Sequence, residues 1–153
     1  MMTDSEHLFQ LVGHKLERLE QLHACSANQM QYVDTDDMGA ILEILAAKQR
    51  LLIEIEGIDQ QIAQYHVDDP EDRVWPTQEM REYCRERISR CDRLVRETLE
   101  YDRFAEQRLI EKRETAKQQL QQLTDTTHIQ GAYHRHKAHI VSTGLHRLDL
   151  GSG

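Results

Sequence analysis

The residues best suited to chemistry sit near the end of the chain. His134, His136 and His139 lie two and three apart in the run Tyr133-His134-Arg135-His136-Lys137-Ala138-His139. Neutral imidazole is the commonest biological metal ligand, and histidines so spaced could share one ion. Arg135 and Lys137 place positive charge between them, and neither a cysteine nor a carboxylate completes the set. The run therefore reads as a weakly basic docking segment, and no metal ligand is assigned. Cys25, Cys84 and Cys91 contain no CxxC pair. Cys84 and Cys91 are seven residues apart, two turns along one helical face, as expected of free buried or half-buried thiols. Arg81, Arg85, Arg87, Arg90, Arg93 and Arg96 suggest a phosphate track, but Glu82, Glu86, Asp92 and Glu97 lie among them. That mixture describes a solvated, salt-bridged helix face. No carboxylate belongs to a Glu-x-x-His pair on an apolar face, and Gly-rich phosphate loops, GxSxG and HExxH are all missing. Tyr32, Tyr65, Tyr83 and Tyr101 suit helix packing better than catalysis. The expectation is a protein that is not an enzyme and uses no cofactor.

Composition narrows the remaining classes. The 153 residues fit one domain; 19 Lys and Arg against 27 Asp and Glu give a net charge of −8. An acidic chain is a poor general binder of nucleic acid, whose electrostatic footprint is basic. Seven Gly and two Pro leave too few chain-breakers for the turns of a sandwich or barrel. Aromatics make up only 5%, so the core must be aliphatic, the material of amphipathic helices. The start, Met1-Met2-Thr3-Asp4-Ser5-Glu6, lacks the basic and apolar regions of a signal peptide. No apolar run approaches the roughly 18 residues of a membrane span. A cytoplasmic protein without membrane insertion is expected.

Three helices are legible. Thr3 with Glu6 forms a capping-box pattern, after which Leu8, Leu11, Val12, Leu16, Leu19, Leu22, Met30 and Val33 keep one face apolar. Asp34-Thr35-Asp36-Asp37 suits a turn and a new N-cap. In the second helix Met38, Ile41, Leu45, Lys48, Leu52, Ile55, Asp59 and Ile62 alternate steps of three and four, a heptad seam interrupted by Lys48 and Asp59. Leu42, Ile44, Leu51 and Ile58 widen it. A loop containing Pro70 and Pro76 separates His66 from Thr77, with Trp75 placed to cap the end of the core. The third helix has an inner face of Met80, Cys84, Ile88, Cys91, Val95 and Leu99, thinning to Ala105, Leu109, Ala116, Leu120 and Leu123. The expected fold is all-α: a three-helix antiparallel bundle or coiled coil over 1–125, with helices at about 4–33, 37–65 and 77–124. Residues 126–153, holding five of the nine histidines, are expected to form a flexible C-terminal tail.

A third helix much longer than its partners is under-covered unless something else binds it. Two occupants use the same physics: a helix of a client protein, or a second copy in a homodimer or structural coiled coil. Charge is divided unevenly, because residues 1–75 hold five bases and fifteen acids while residues 76–153 hold fourteen bases and twelve acids.

The stretch Met38 to Ile62, with Ala46-Ala47-Lys48-Gln49 and Leu51-Leu52 at its centre, resembles the second helix of FlgN-type flagellar export chaperones. The acidic first hairpin, the long third helix and the terminal Gly131-Ala132-Tyr133 agree with that family in order and length. The chain departs from it at Tyr101-Asp102-Arg103-Phe104, where the family often has Asn-rich positions. The resemblance implies a cytoplasmic chaperone of type III export and flagellum biogenesis. It would hold C-terminal helical segments of hook–filament junction (hook-associated) proteins, prevent their premature assembly and deliver them to an export-gate component. On this chain Leu99, Ala105, Leu109, Ala116, Leu120 and Leu123 are the expected client-binding residues, and Tyr133 the expected gate contact.

Overall fold

The computed structural model describes residues 2–65 and 73–151, with side-chain environments through residue 138. Residues 66–72 of the expected loop and the side chain of His139 fall outside the described residues. Three helices account for nearly all the rest: α1 (Asp4–Tyr32), α2 (Met38–Ala63) and α3 (Gln78–Gly151). Among the described residues there is no strand.

Local chemistry sets the starts. Thr3 Oγ1 accepts from the Glu6 amide at 3.2 Å while Glu6 Oε2 accepts from the Thr3 amide at 2.9 Å, so both halves of the capping box are made. Asp37 caps α2 by accepting from the Ala40 amide at 3.0 Å, and Thr77 does the same for Met80 at 3.1 Å as α3 begins. The turn between α1 and α2 closes on the Tyr32 carbonyl, which accepts from the Thr35 amide and hydroxyl.

Two compact units divide the chain, Met1–Leu109 and Ile110–Gly153. In the first, interhelical pairs fix the register. Lys15 with Asp59, Arg18 with Glu54 and Gln29 with Lys48 show α1 and α2 antiparallel. Glu20 with Arg90, His23 with Glu97 and Asp34 with Arg108 show α1 and α3 running the same way. The central core joins Leu16, Leu19 and Leu22 of α1, Leu51 and Ile55 of α2, and Cys91 and Leu94 of α3. Each leucine buried there contributes about 1.5–3 kcal/mol. A second cluster of Leu8, Val12 and Cys84 is capped by Phe9, Ile62, Tyr65 and Trp75, so the tryptophan closes the bundle end. Gly13 leaves room for the Arg87 guanidinium, which lies 4.3 Å from the centre of the Phe9 ring.

The end of α3 corrects an expectation. The spacing predicts an end to the third helix near 124, whereas α3 runs on to Gly151. Gly131 and Gly144 each disfavour a helix by about 1 kcal/mol relative to Ala. No proline follows Thr124, so nothing removes an amide from the hydrogen-bond ladder. Loss of apolar periodicity marks where packing weakens, not where a helix must end.

Candidate helix-binding surface

A polar node inside the first unit links all three helices. Lys48, only 8% exposed, donates from Nζ to Gln29 Oε1 at 2.8 Å and to Asp102 Oδ1 at 2.5 Å. The fully buried Ser26 hydroxyl donates to the same Asp102 oxygen at 2.8 Å. The interruption of the α2 seam by Lys48 is thus answered within the chain, as is that by Asp59, which pairs with Lys15 at 2.7 Å. The node fixes where α2 lies against α3, because a buried ammonium must keep its acceptors.

Apolar residues stand at helical spacing from Lys48 and Asp102. Leu45 and Leu52 lie three before and four after Lys48; Val95 and Leu99 lie seven and three before Asp102. All four are partly exposed, so apolar surface remains on both helices within two turns of the node. On α2, Met38, Leu42 and Ile53 are more exposed still. The seam expected to face inward therefore splits: Ile41, Lys48 and Ile55 are buried, as is Leu51 beside them, whereas Met38, Leu45 and Leu52 face solvent. One helix with two neighbours cannot bury so broad an apolar sector, and the excess width of Leu42, Leu45, Leu52 and Ile53 was the available signal.

The expected client-binding residues separate into three kinds. Leu99 (48% exposed) and Leu109 are accessible in the first unit. Ala105 is 0% exposed, which corrects its assignment to a binding surface: a side chain closed inside the bundle touches no client. In the second unit Ala116 is exposed, and Leu120 and Leu123 are 65% and 64% exposed. Within that unit Leu120, Leu123, Thr127, His128, Gly131 and Arg135 share one shallow helix face. Tyr133 is also exposed, its ring edge-on to His134 at 5.9 Å between centroids.

Other arrangements offer less. A cleft of about 240 Å³ lies beside Trp75, walled by Leu8, Val12, Ile88, Cys84 and Cys91. Of its cations, Lys15 is held by Asp59, and Arg73 donates to the Tyr65 carbonyl and lies 5.7 Å from the centre of that ring. Burial pushes the Cys84 thiol up despite the opposing charge of Arg73 and Arg87, and burial likewise raises Cys91, so both stay protonated and poorly nucleophilic. Of the arginine track, Arg90 pairs with Glu20 and Arg87 covers Phe9. Among the described residues no group of three His, Cys, Asp or Glu could hold a metal ion, and no helix is long and apolar enough to cross a membrane. No protein-family model matches the chain, and no curated protein or solved structure matches it either.

Proposed function

We propose that this protein is a cytoplasmic export chaperone that holds a helical segment of a hook-associated protein, keeps it from assembling early and passes it to the export gate. One observation carries the reading. The series Cys91, Thr98 and Ala105, buried in the bundle, continues at steps of four, seven, four and three to Leu109, Ala116, Leu120 and Leu123, of which Leu120 and Leu123 are about two-thirds exposed. An apolar helix face without cover is suited to the apolar face of another helix. Capture must be reversible, and the polar neighbours Thr127, His128 and Arg135 keep the contact from resembling a permanent core. Binding, not catalysis, is the whole activity.

The test is titration of the full chain with the C-terminal helical segment of a hook-associated protein, followed by calorimetry. A one-to-one complex is expected. The double substitution Leu120→Asp/Leu123→Asp should weaken it about 100-fold, since two leucine contacts at about 1.5–3 kcal/mol each are lost. Helix content should hold, because neither side chain is packed in the fold. Undiminished affinity in that variant, or no complex with the unaltered chain, overturns the reading.

Gate contact is assigned to Tyr133, whose exposed ring offers an apolar face and a hydroxyl on one side chain. Tyr133→Ala should cost roughly 10-fold in affinity for the export-gate component, about 1.4 kcal/mol, and leave client affinity unchanged. Equal gate binding by the two proteins in a pull-down titration would remove the assignment.

A second reading, a structural coiled-coil adaptor without a client, is favoured by the additional apolar stripe on α2. It predicts an oligomer indifferent to client segments.

A further inference from the structure

The helix α2 has two apolar faces, and the bundle covers one of them. Ile41, Leu51 and Ile55 turn inward with Lys48. About a third of a turn around the helix, Met38, Leu42, Leu45 and Leu52 follow one another at steps of four, three and seven, and all are exposed. Ile53 and Ala46 are exposed beside them, and Gln49 is the one polar residue along the stripe. Such spacing makes a second heptad seam, about 21 Å long at ~1.5 Å per residue. Glu43 and Arg50, both exposed, stand seven residues apart along its outer edge. The acids Glu54 and Asp59 of the same helix are held by Arg18 and Lys15 of α1.

We infer that this stripe pairs with the same stripe of a second copy of the chain, the two α2 helices lying antiparallel about a two-fold axis near Ala47. Leu42 then meets Leu52 of the other copy, Leu45 meets Gln49, and symmetry makes each contact twice. The outer edges meet on one side, so Glu43 of each copy faces Arg50 of the other across the small Ala46. Parallel pairing would instead set Glu43 against Glu43 and Arg50 against Arg50, which repel. Sliding the partner by one heptad would put Leu42 against Asp59 or carry Leu52 past the start of α2 to Thr35. The helix is therefore complementary to itself in one orientation and one register, and that selects a second copy over a foreign helix as its occupant. One helix face per copy is a small interface, about 1,000 Å² in total, which places dissociation in the micromolar range. The dimer goes beyond client binding and uses neither Leu120 nor Leu123.

Light scattering on the full chain across the micromolar range tests this, and a concentration-dependent dimer is expected. Leu42→Asp and Leu52→Asp should each raise the dissociation constant at least 10-fold, with circular dichroism reporting unchanged helix content because both side chains are exposed. Glu43→Arg and Arg50→Glu should each weaken the dimer about 10-fold, since two attractive contacts become repulsive. Joining both changes in one chain, or mixing the two single variants, re-forms the opposite-charge pairs and should restore association. These charge variants carry the test should the aspartate variants misfold. Mixing a chain carrying Leu42→Cys with a differently tagged chain carrying Leu52→Cys should give, on oxidation, a disulfide between unlike chains, with the unaltered chain as control for the half-buried Cys25. A monomer at every concentration, a dimer untouched by both aspartate substitutions, no recovery on charge exchange, or linkage of like chains overturns the inference. Client titration of the same samples keeps the two readings apart: a monomer that still binds a client segment defeats the dimer alone, and a dimer that binds none defeats the chaperone alone.

Discussion

Lys48→Ala should destabilise the protein by about 3 kcal/mol, measured as a lower midpoint in urea unfolding with an unchanged slope. Lys48 is 8% exposed and satisfies two acceptors, Gln29 Oε1 at 2.8 Å and Asp102 Oδ1 at 2.5 Å. Its removal strands the buried Gln29 carbonyl oxygen and leaves Asp102 with only the Ser26 hydroxyl. The upper end of the range for broken buried pairs, about 5 kcal/mol, does not apply here. The Asp102 side chain is about a third exposed, so water recovers part of its solvation once the ammonium is gone. Lys48→Met separates the components, because it keeps the aliphatic stem and removes the charge; it should retain about 1 kcal/mol of what alanine loses. Asp102→Asn, which keeps an oxygen for Lys48 and Ser26, should cost about 1 kcal/mol. A change below about 0.5 kcal/mol for Lys48→Ala, the range of an ordinary surface substitution, would mean that the node does not hold α2 against α3.

That node also shows what could be read in advance. A lysine in an otherwise aliphatic heptad seam was visible as an interruption, and an interruption implies a specified partner. The partner was not visible. Gln29 is 19 residues away and Asp102 is 54, and no periodicity connects residues on different helices. The three helices were legible because caps and apolar spacing are local: Thr3 with Glu6 and the Asp34–Asp37 turn mark boundaries within one or two residues of those observed. Two things were not local. On α2 a broad apolar sector can be laid inward in either of two phases, and only contact with α1 and α3 selects Ile41, Lys48, Leu51 and Ile55 over Met38, Leu45 and Leu52. At the far end, fading periodicity predicts an end to α3 near 124, yet no residue there forbids a helix and α3 continues to Gly151.

Ala105→Asp is the second substitution expected to act strongly, and it bears on the binding surface directly. Ala105 and Ala116 belong to the same series at steps of four and seven, and the sequence does not distinguish them. In the folded protein Ala105 is 0% exposed and Ala116 is exposed. A carboxylate at 105 would lose its hydration without a partner placed to receive it, at a cost of about 3–5 kcal/mol. The same carboxylate at 116 would stay in water and cost about 0.5–0.7 kcal/mol in helix propensity. The hairpin turn explains the difference. Arg108 reaches Asp34 at 2.5 Å, so the end of α1 still lies beside α3 one turn beyond Ala105. Ala105→Asp should therefore lower stability steeply and reduce client binding only as far as it unfolds the chain, whereas Ala116→Asp should leave stability within about 1 kcal/mol and weaken client binding itself. Thermal unfolding of the two variants, with client titration well below each midpoint, decides the matter. Equal stability of the two would place Ala105 on the surface and move the binding face back toward the bundle.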